Sequence, residues 1–167
     1  MSILKVNQIQ TANGVIMANL NSSGANIGFQ LASTLAPAFS AYNGSTQSVA
    51  SATEVKALFP TERFDTNNNF ASSTFTPTVA GYYQLSSGIY SGNNSGFFNV
   101  SIFKNGGIFT ELSRGNGTAL LVGGSCLVYA NGTSDYFDIY VYTSGSTLSM
   151  GAGSAYMWFT GSFVRSA

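Results

Sequence analysis

The chain has no histidine, one cysteine, one tryptophan and three prolines, and only six Lys or Arg and six Asp or Glu among its 167 residues. Each scarcity removes a class of function. A single thiol, Cys126, cannot form a disulfide within the chain, and a zinc site would have at most one sulfur ligand and no nitrogen ligand. A serine nucleophile has no imidazole to take its proton, so a Ser-His-Asp triad cannot be built. Charged residues make up 7% of the chain, against about 25% in an ordinary domain. Lys and Arg are too few and too scattered to give the electrostatic footprint that nucleic-acid binding requires. No long apolar run follows a basic cluster at the amino terminus, which reads as neither a secretory leader nor a membrane anchor. Synthesis in a cytoplasm, without membrane insertion, is the expectation.

Gly, Ser, Thr and Asn fill the polar positions instead, aromatics reach 14%, and the net charge is zero. Such a surface repels itself weakly and favours association, so much of it is expected to be buried against other copies. The length suffices for one domain that buries about 70% of its unfolded surface, with a short extension. Cys126 lies in the apolar run 121–129 and reads as a small packed thiol rather than a nucleophile. Gly106-Gly107, Gly115-Asn116-Gly117 and Gly123-Gly124 lack the lysine and the strand-to-helix setting of a phosphate loop and read as turns.

Residues 1–35 differ from the remainder. Ile3, Leu4, Val6, Ile9, Val15 and Ile16 form two short apolar stretches around the turn signal Thr11-Ala12-Asn13-Gly14. Two brief strands cannot bury that surface alone, so this segment reads as an extended arm that docks on neighbouring chains. Residues 36–167 read as a head of short β-rich runs between Gly, Asn and Ser turns. Its clearest strand is 135–142, which places Tyr136, Asp138, Tyr140 and Tyr142 on one face and Phe137, Ile139 and Val141 on the other.

Six carboxylates, Glu54, Glu62, Asp65, Glu111, Asp135 and Asp138, could in principle supply the pair that glycoside hydrolysis needs. None sits in a Trp-lined cleft motif, and no enzyme is expected. Asn131, Asp135 and Asp138 offer oxygen ligands of the kind calcium accepts, but Asp135 and Asp138, three apart on a strand, should face opposite sides. They read as solvated aspartates beside an Asn-Gly turn, and no metal or cofactor is expected. Three polar loops are the natural places for receptor contact: 91–96 with Asn93 and Asn94, 113–118 with Arg114 and Asn116, and 143–147 with Ser146.

Several segments carry a resemblance: Phe64-Asp65-Thr66-Asn67-Asn68-Asn69-Phe70, Phe75-Thr76-Pro77-Thr78-Val79-Ala80-Gly81-Tyr82-Tyr83, Ile102-Phe103-Lys104-Asn105-Gly106 and Phe159-Thr160-Gly161-Ser162-Phe163. In this order they resemble the globular head of complement proteins, which shares its fold with tumour necrosis factor. The resemblance covers roughly residues 38–167. It implies an all-β, ten-stranded jelly-roll β-sandwich that assembles as a homotrimer, with Tyr83, Tyr136, Tyr140, Tyr142 and Phe159 at the threefold contact. The phrase Lys5-Val6-Asn7-Gln8-Ile9-Gln10-Thr11, followed by Asn13-Gly14, resembles the start of many phage fibre and virion proteins. Together these imply a structural protein of a bacteriophage virion, made in the host cytoplasm and exposed on the particle. In that reading a trimeric fibre or appendage head contacts a glycan or protein of the host surface, and the arm holds other virion proteins. A capsid decoration protein and a polysaccharide-degrading fibre enzyme are the alternatives.

Overall fold

The computed structural model describes 8–10, 16–19 and 36–167, apart from 94, 118 and 119. The chain divides into two units, Met1–Leu35 and Ala36–Ala167. In the first, β1 (Gln8–Gln10) pairs antiparallel with β2 (Ile16–Asn19), with Ile9 opposite Ala18 and Gln10 opposite Ile16. Of the apolar arm residues, Ile9 and Ile16 lie on these strands; Ile3, Leu4, Val6 and Val15 lie outside the described residues.

The second unit is a sandwich of two antiparallel sheets, and no helix occurs among the described residues. One sheet comprises β5 (Glu54–Lys56), β7 (Phe70–Ala71), β8 (Thr74–Phe75), β10 (Phe97–Lys104), β11 (Gly107–Asn116) and β13 (Phe137–Thr143). Its order is β11-β10-β13-β8-β7, with β5 also paired to β13. The other comprises β3 (Ala38–Tyr42), β4 (Gln47–Val49), β6 (Thr61–Asp65), β9 (Gly81–Asn93), β12 (Leu120–Ala130), β14 (Leu148–Met150) and β15 (Met157–Arg165). Its order is β4-β14-β9-β15-β3-β6, with β12 paired along β9. Where ten strands are expected, the head has thirteen segments among its described residues. Five of them (β4, β5, β7, β8 and β14) are only two or three residues long, because turns and bulges cut the longer runs.

Period-two alternation drives this arrangement. On β9, Tyr83, Leu85, Ser87, Ile89 and Ser91 point inward; on β13, Phe137, Ile139 and Val141 do so, as the sequence predicts. Between the sheets Phe39 stacks on Phe70 and Phe75 at centroid distances of 4.7 and 4.5 Å and meets Phe159 edge-on at 4.9 Å. Each such pair adds about 0.5–1.5 kcal/mol to simple area burial.

Close packing explains the recognised glycines. A Cβ on Gly161 would lie 2.5 Å from the Phe39 ring and 2.6 Å from Leu85 Cδ2; one on Gly81 would lie 2.5 Å from the Phe163 ring. The Phe75-x5-Gly81-x-Tyr83 spacing brings Tyr83 edge-on to Phe75 at 5.4 Å and to Phe163 at 5.3 Å. The Tyr83 hydroxyl donates to the Val79 carbonyl at 2.7 Å, and burial pushes its phenol up to about 12. The Asp65–Phe70 loop is also built from its own residues. Asp65 accepts from the Phe70 N–H at 2.7 Å, and the Asn69 side chain bonds the Asn67 carbonyl and Thr78.

Two expected interface residues are therefore corrected. Tyr83 and Phe159 are fully buried in the head's own core, because both stand at inward positions of their strands, and neither is surface that a second copy could touch.

Candidate functional site

The two outer faces of the sandwich differ in chemistry. On the seven-stranded sheet, β12 directs Leu121, Ser125, Leu127 and Tyr129 outward, opposite Tyr90, Ser86, Gln84 and Tyr82 of β9. The row continues through Trp158 and Thr160 of β15 to Tyr42 and Ser40 of β3 and Phe64 of β6. Leu121 and Leu127 are 57% and 51% exposed, and Phe64 and Tyr129 are exposed as well. Gly88, Gly123 and Gly124 carry no side chain here. A hollow of about 350 Å³ opens between Leu121 and Trp158, floored by these glycines and by Ser86 and Ser125. The strand β6 at the end of the row adds Glu62, Arg63 and Asp65, with the Arg63 guanidinium 5.0 Å over the Tyr42 ring, whereas β3, β9, β12 and β15 contain a single Asp, Glu, Lys or Arg, Arg165 at the end of β15. A solvated face of this size ordinarily carries several.

The outer face of the six-stranded sheet is polar and aromatic. Antiparallel register sets Arg114, Asn99, Tyr142 and Glu54 in one row across β11, β10, β13 and β5. Phe97 stands beside Tyr142 at 5.8 Å, the Arg114 guanidinium lies 4.4 Å over the Phe97 ring, and Phe103 stacks on Tyr140 at 4.1 Å. Arg114 donates twice to Glu111, at 3.1 and 2.9 Å, and Asn99 Nδ2 donates to the same carboxylate at 2.6 Å. Hydrogen bonds from Arg114 and then Asn99 hold the Glu111 carboxyl below the ordinary range, against a smaller opposing effect of burial.

The expected receptor residues come together only in part. Asn93 ends β9 and accepts from the Ser149 N–H at 3.1 Å; Asn94 lies outside the described residues. The Ser146 N–H donates to Ser95 Oγ at 2.9 Å, and Ser144 bonds Phe97, so residues 95–97 and the loop 143–147 join at one end of the sandwich. Arg114 and Asn116 are strand residues rather than loop residues. β11 runs to Asn116 as the sheet's edge, with little burial to mark it in the sequence. Tyr140 and Tyr142 are half-buried on the polar face, while Tyr136 just precedes β13.

The two aspartates read as solvated are both buried, 7% and 5% exposed. Asp138 pairs with Lys56 at 2.8 Å and accepts from Thr74 at 2.7 Å. Asp135 pairs with Lys104 at 2.9 Å and accepts from Asn105 at 2.8 Å and from the Asn131 N–H at 2.9 Å. Each carboxylate thus has an ammonium where a bound cation would stand. Among the described residues no three His, Cys, Asp or Glu side chains converge. The Lys104 ammonium also donates to the Tyr129 carbonyl at 2.9 Å, tying β10 to β12 of the other sheet.

Burial by itself would raise the Asp135 carboxyl. Hydrogen bonds from Asn105, Lys104 and the Asn131 N–H, with the Lys104 charge, outweigh it and hold the group below its ordinary range. A carboxyl lowered on folding gives stability that is full above the unfolded value, about 3.9, and is lost as the pH falls through the folded one. Asp135→Asn is expected to lower stability at pH 7 by about 1–3 kcal/mol and to flatten the decline between pH 5 and pH 3, read by urea unfolding. An unchanged acid-side decline in the variant would contradict the assignment.

No protein-family model and no curated protein sequence matches the chain. Solved structures do. The chain is similar to the globular domain of a zebrafish complement 1qA protein at 16% identity and TM-score 0.58, over 78% of this chain and 98% of that one. It is similar to murine APRIL at 8% identity and TM-score 0.59, over 77% and 99%. A third similar structure, Eiger TNF from S. frugiperda, has 8% identity and TM-score 0.55, over 79% and 93%. At these identities the likeness establishes architecture and carries no activity with it. The chain has the jelly-roll sandwich fold of complement heads and tumour necrosis factors.

Proposed function

We propose that this chain is a non-enzymatic structural protein of a bacteriophage virion, a fibre or appendage whose head self-associates as a trimer and meets the host surface. The observation that carries the reading is the charge-poor centre of the outer face of the seven-stranded sheet, where exposed Leu121, Leu127 and Tyr129 flank a hollow. Protein interfaces are depleted in charge and enriched in aromatics at their centre in this way. The fold resemblance supports three as the number of copies.

A closed ring of three makes a heterologous contact, in which each copy offers two different patches. The Leu127–Tyr129 end of the face in one copy meets the Tyr42–Phe64 end in the next. This moves the self-contact off the Tyr136, Tyr140 and Tyr142 face, whose rim is charged. The phage setting is supported by the amino-terminal phrase 5–14 alone, and the role given to the arm is docking on other virion proteins.

Removing residues 1–35 is expected to abolish incorporation into particles while the head still folds, read by particle composition and by circular dichroism. An unfolded head, or incorporation at the full level, would contradict the division of roles. Immunogold labelling on a capsid lattice rather than at fibre tips would replace adhesion by decoration.

A further inference from the structure

The outer face of the six-stranded sheet carries chemistry that self-association does not use. Its rings lie along two adjacent strands. Phe97 and Tyr142 form one pair, and Phe103 and Tyr140 the next. Tyr140 and Tyr142, two residues apart on β13, are separated by about 7 Å along the strand. Beside the first pair, Asn99, Glu111 and Arg114 form a hydrogen-bonded network that is already in place. Among the described residues, Asn99 Oδ1 and Arg114 Nη1 take no partner within it and are left for a ligand. Polar side chains held in advance lose little entropy on binding.

Charge then selects the ligand. Arg114 is neutralised by Glu111 and Lys56 by Asp138, and Glu54, opposite Tyr142, forms no ion pair among the described residues. The face offers no free cation to an anionic polymer, and its unpaired carboxylate repels one. The exposed Ile108 stands at the β10–β11 hairpin end, opposite Phe103, and the row from Arg114 through Asn99 and Tyr142 to Glu54 carries no large aliphatic side chain. A sugar ring has an apolar C–H face and an edge of vicinal hydroxyls. Aromatic faces bordered by fixed amide, carboxylate and guanidinium groups complement both.

We infer that this face is a binding platform for a neutral polysaccharide, which lies across β10 and β13 with sugar rings on Tyr142 and Tyr140 and hydroxyls on Asn99 and Arg114. The inference rests on the exposed-head reading for its setting and gives that reading a ligand class. Residues 95–97 and the loop 143–147 border the same end of the platform.

The test is native electrophoresis of the full chain through gels containing dextran, galactomannan or hydroxyethyl cellulose, with anionic polygalacturonate alongside. Retardation in at least one neutral gel is expected. It should weaken about tenfold in Tyr142→Ala, the loss of one good ring contact, and by a similar factor in Arg114→Ala, and stay unchanged in Val164→Ser, an exposed position on β15 of the other sheet. Arg114 is a surface residue, so its variant keeps the test valid if Tyr142→Ala fails to fold. No retardation in any neutral gel, retardation in polygalacturonate alone, or retardation insensitive to both substitutions would overturn the platform. Light scattering on the same sample separates this from the head reading. A trimer that is not retarded overturns the platform and leaves the head, whereas a retarded monomer overturns the trimeric head and leaves the platform.

Discussion

Phe39→Ala is expected to lower the stability of the head by about 3–5 kcal/mol, the usual cost of truncating a fully buried phenylalanine. Phe39 is 1% exposed and touches three rings, Phe70, Phe75 and Phe159, one from β7, one from β8 and one from β15. Its loss opens a cavity where the two sheets are held together. Collapse into that space is opposed by the backbone, because Gly161 has already brought β15 against the ring. A domain has only about 5–15 kcal/mol in total, so the variant should melt roughly 6–20 °C lower. Calorimetry must be done at one protein concentration, since the proposed self-association would couple melting to mass action. Phe109→Ala, on an exposed side chain of β11, should change stability by less than about 0.5 kcal/mol. A loss below about 1 kcal/mol for Phe39→Ala would contradict the ring cluster as the structural centre.

The second large effect is on assembly. Replacing Leu121 and Leu127 together by Asp should convert the proposed trimer to monomers without unfolding the head. Both side chains already face outward, so the isolated head tolerates the change at about 1 kcal/mol or less per site, the span of strand propensities. In a closed contact the carboxylate at 121 loses its water beside a hollow floored by glycine and serine and gains no cation there, whereas one at 127 meets the end of the face where the Arg63 guanidinium lies 5.0 Å over the Tyr42 ring. A desolvated, unpaired charge costs several kcal/mol, enough to move a dissociation constant by orders of magnitude. Sedimentation velocity of the double variant reads the result. A variant that keeps the parent's mass would place the contact elsewhere.

Local periodicity made much of the fold legible in the sequence. Alternation over 135–142 gives the correct inward set on β13, and the Phe75–Gly81–Tyr83 and Phe159–Gly161–Phe163 spacings mark positions where rings close over a missing Cβ. Function-bearing surfaces were less legible, because they depend on which strands become neighbours. Tyr83 and Phe159 are aromatic like true interface residues, and only the pairing of β9 and β15 shows that their parity is inward. Asp135 and Asp138 look solvated until Lys104 and Lys56 arrive from β10 and β5. β11 has little burial to give it a period, so Arg114 reads as loop although it stands in register with Asn99. The hollow beside Leu121 comes from glycines on two strands, Gly88 and Gly123, that meet only across the β9–β12 ladder.

The central claim, that the head closes on copies of itself through the charge-poor sheet, is tested most directly by the solution mass of the purified full chain. Light scattering across a size-exclusion peak gives it without assumptions about shape. The account predicts a mass near three times that of one chain, held on dilution through the micromolar range. A mass of one chain at every concentration would contradict it and leave the exposed leucines of β12 as a surface for some other protein.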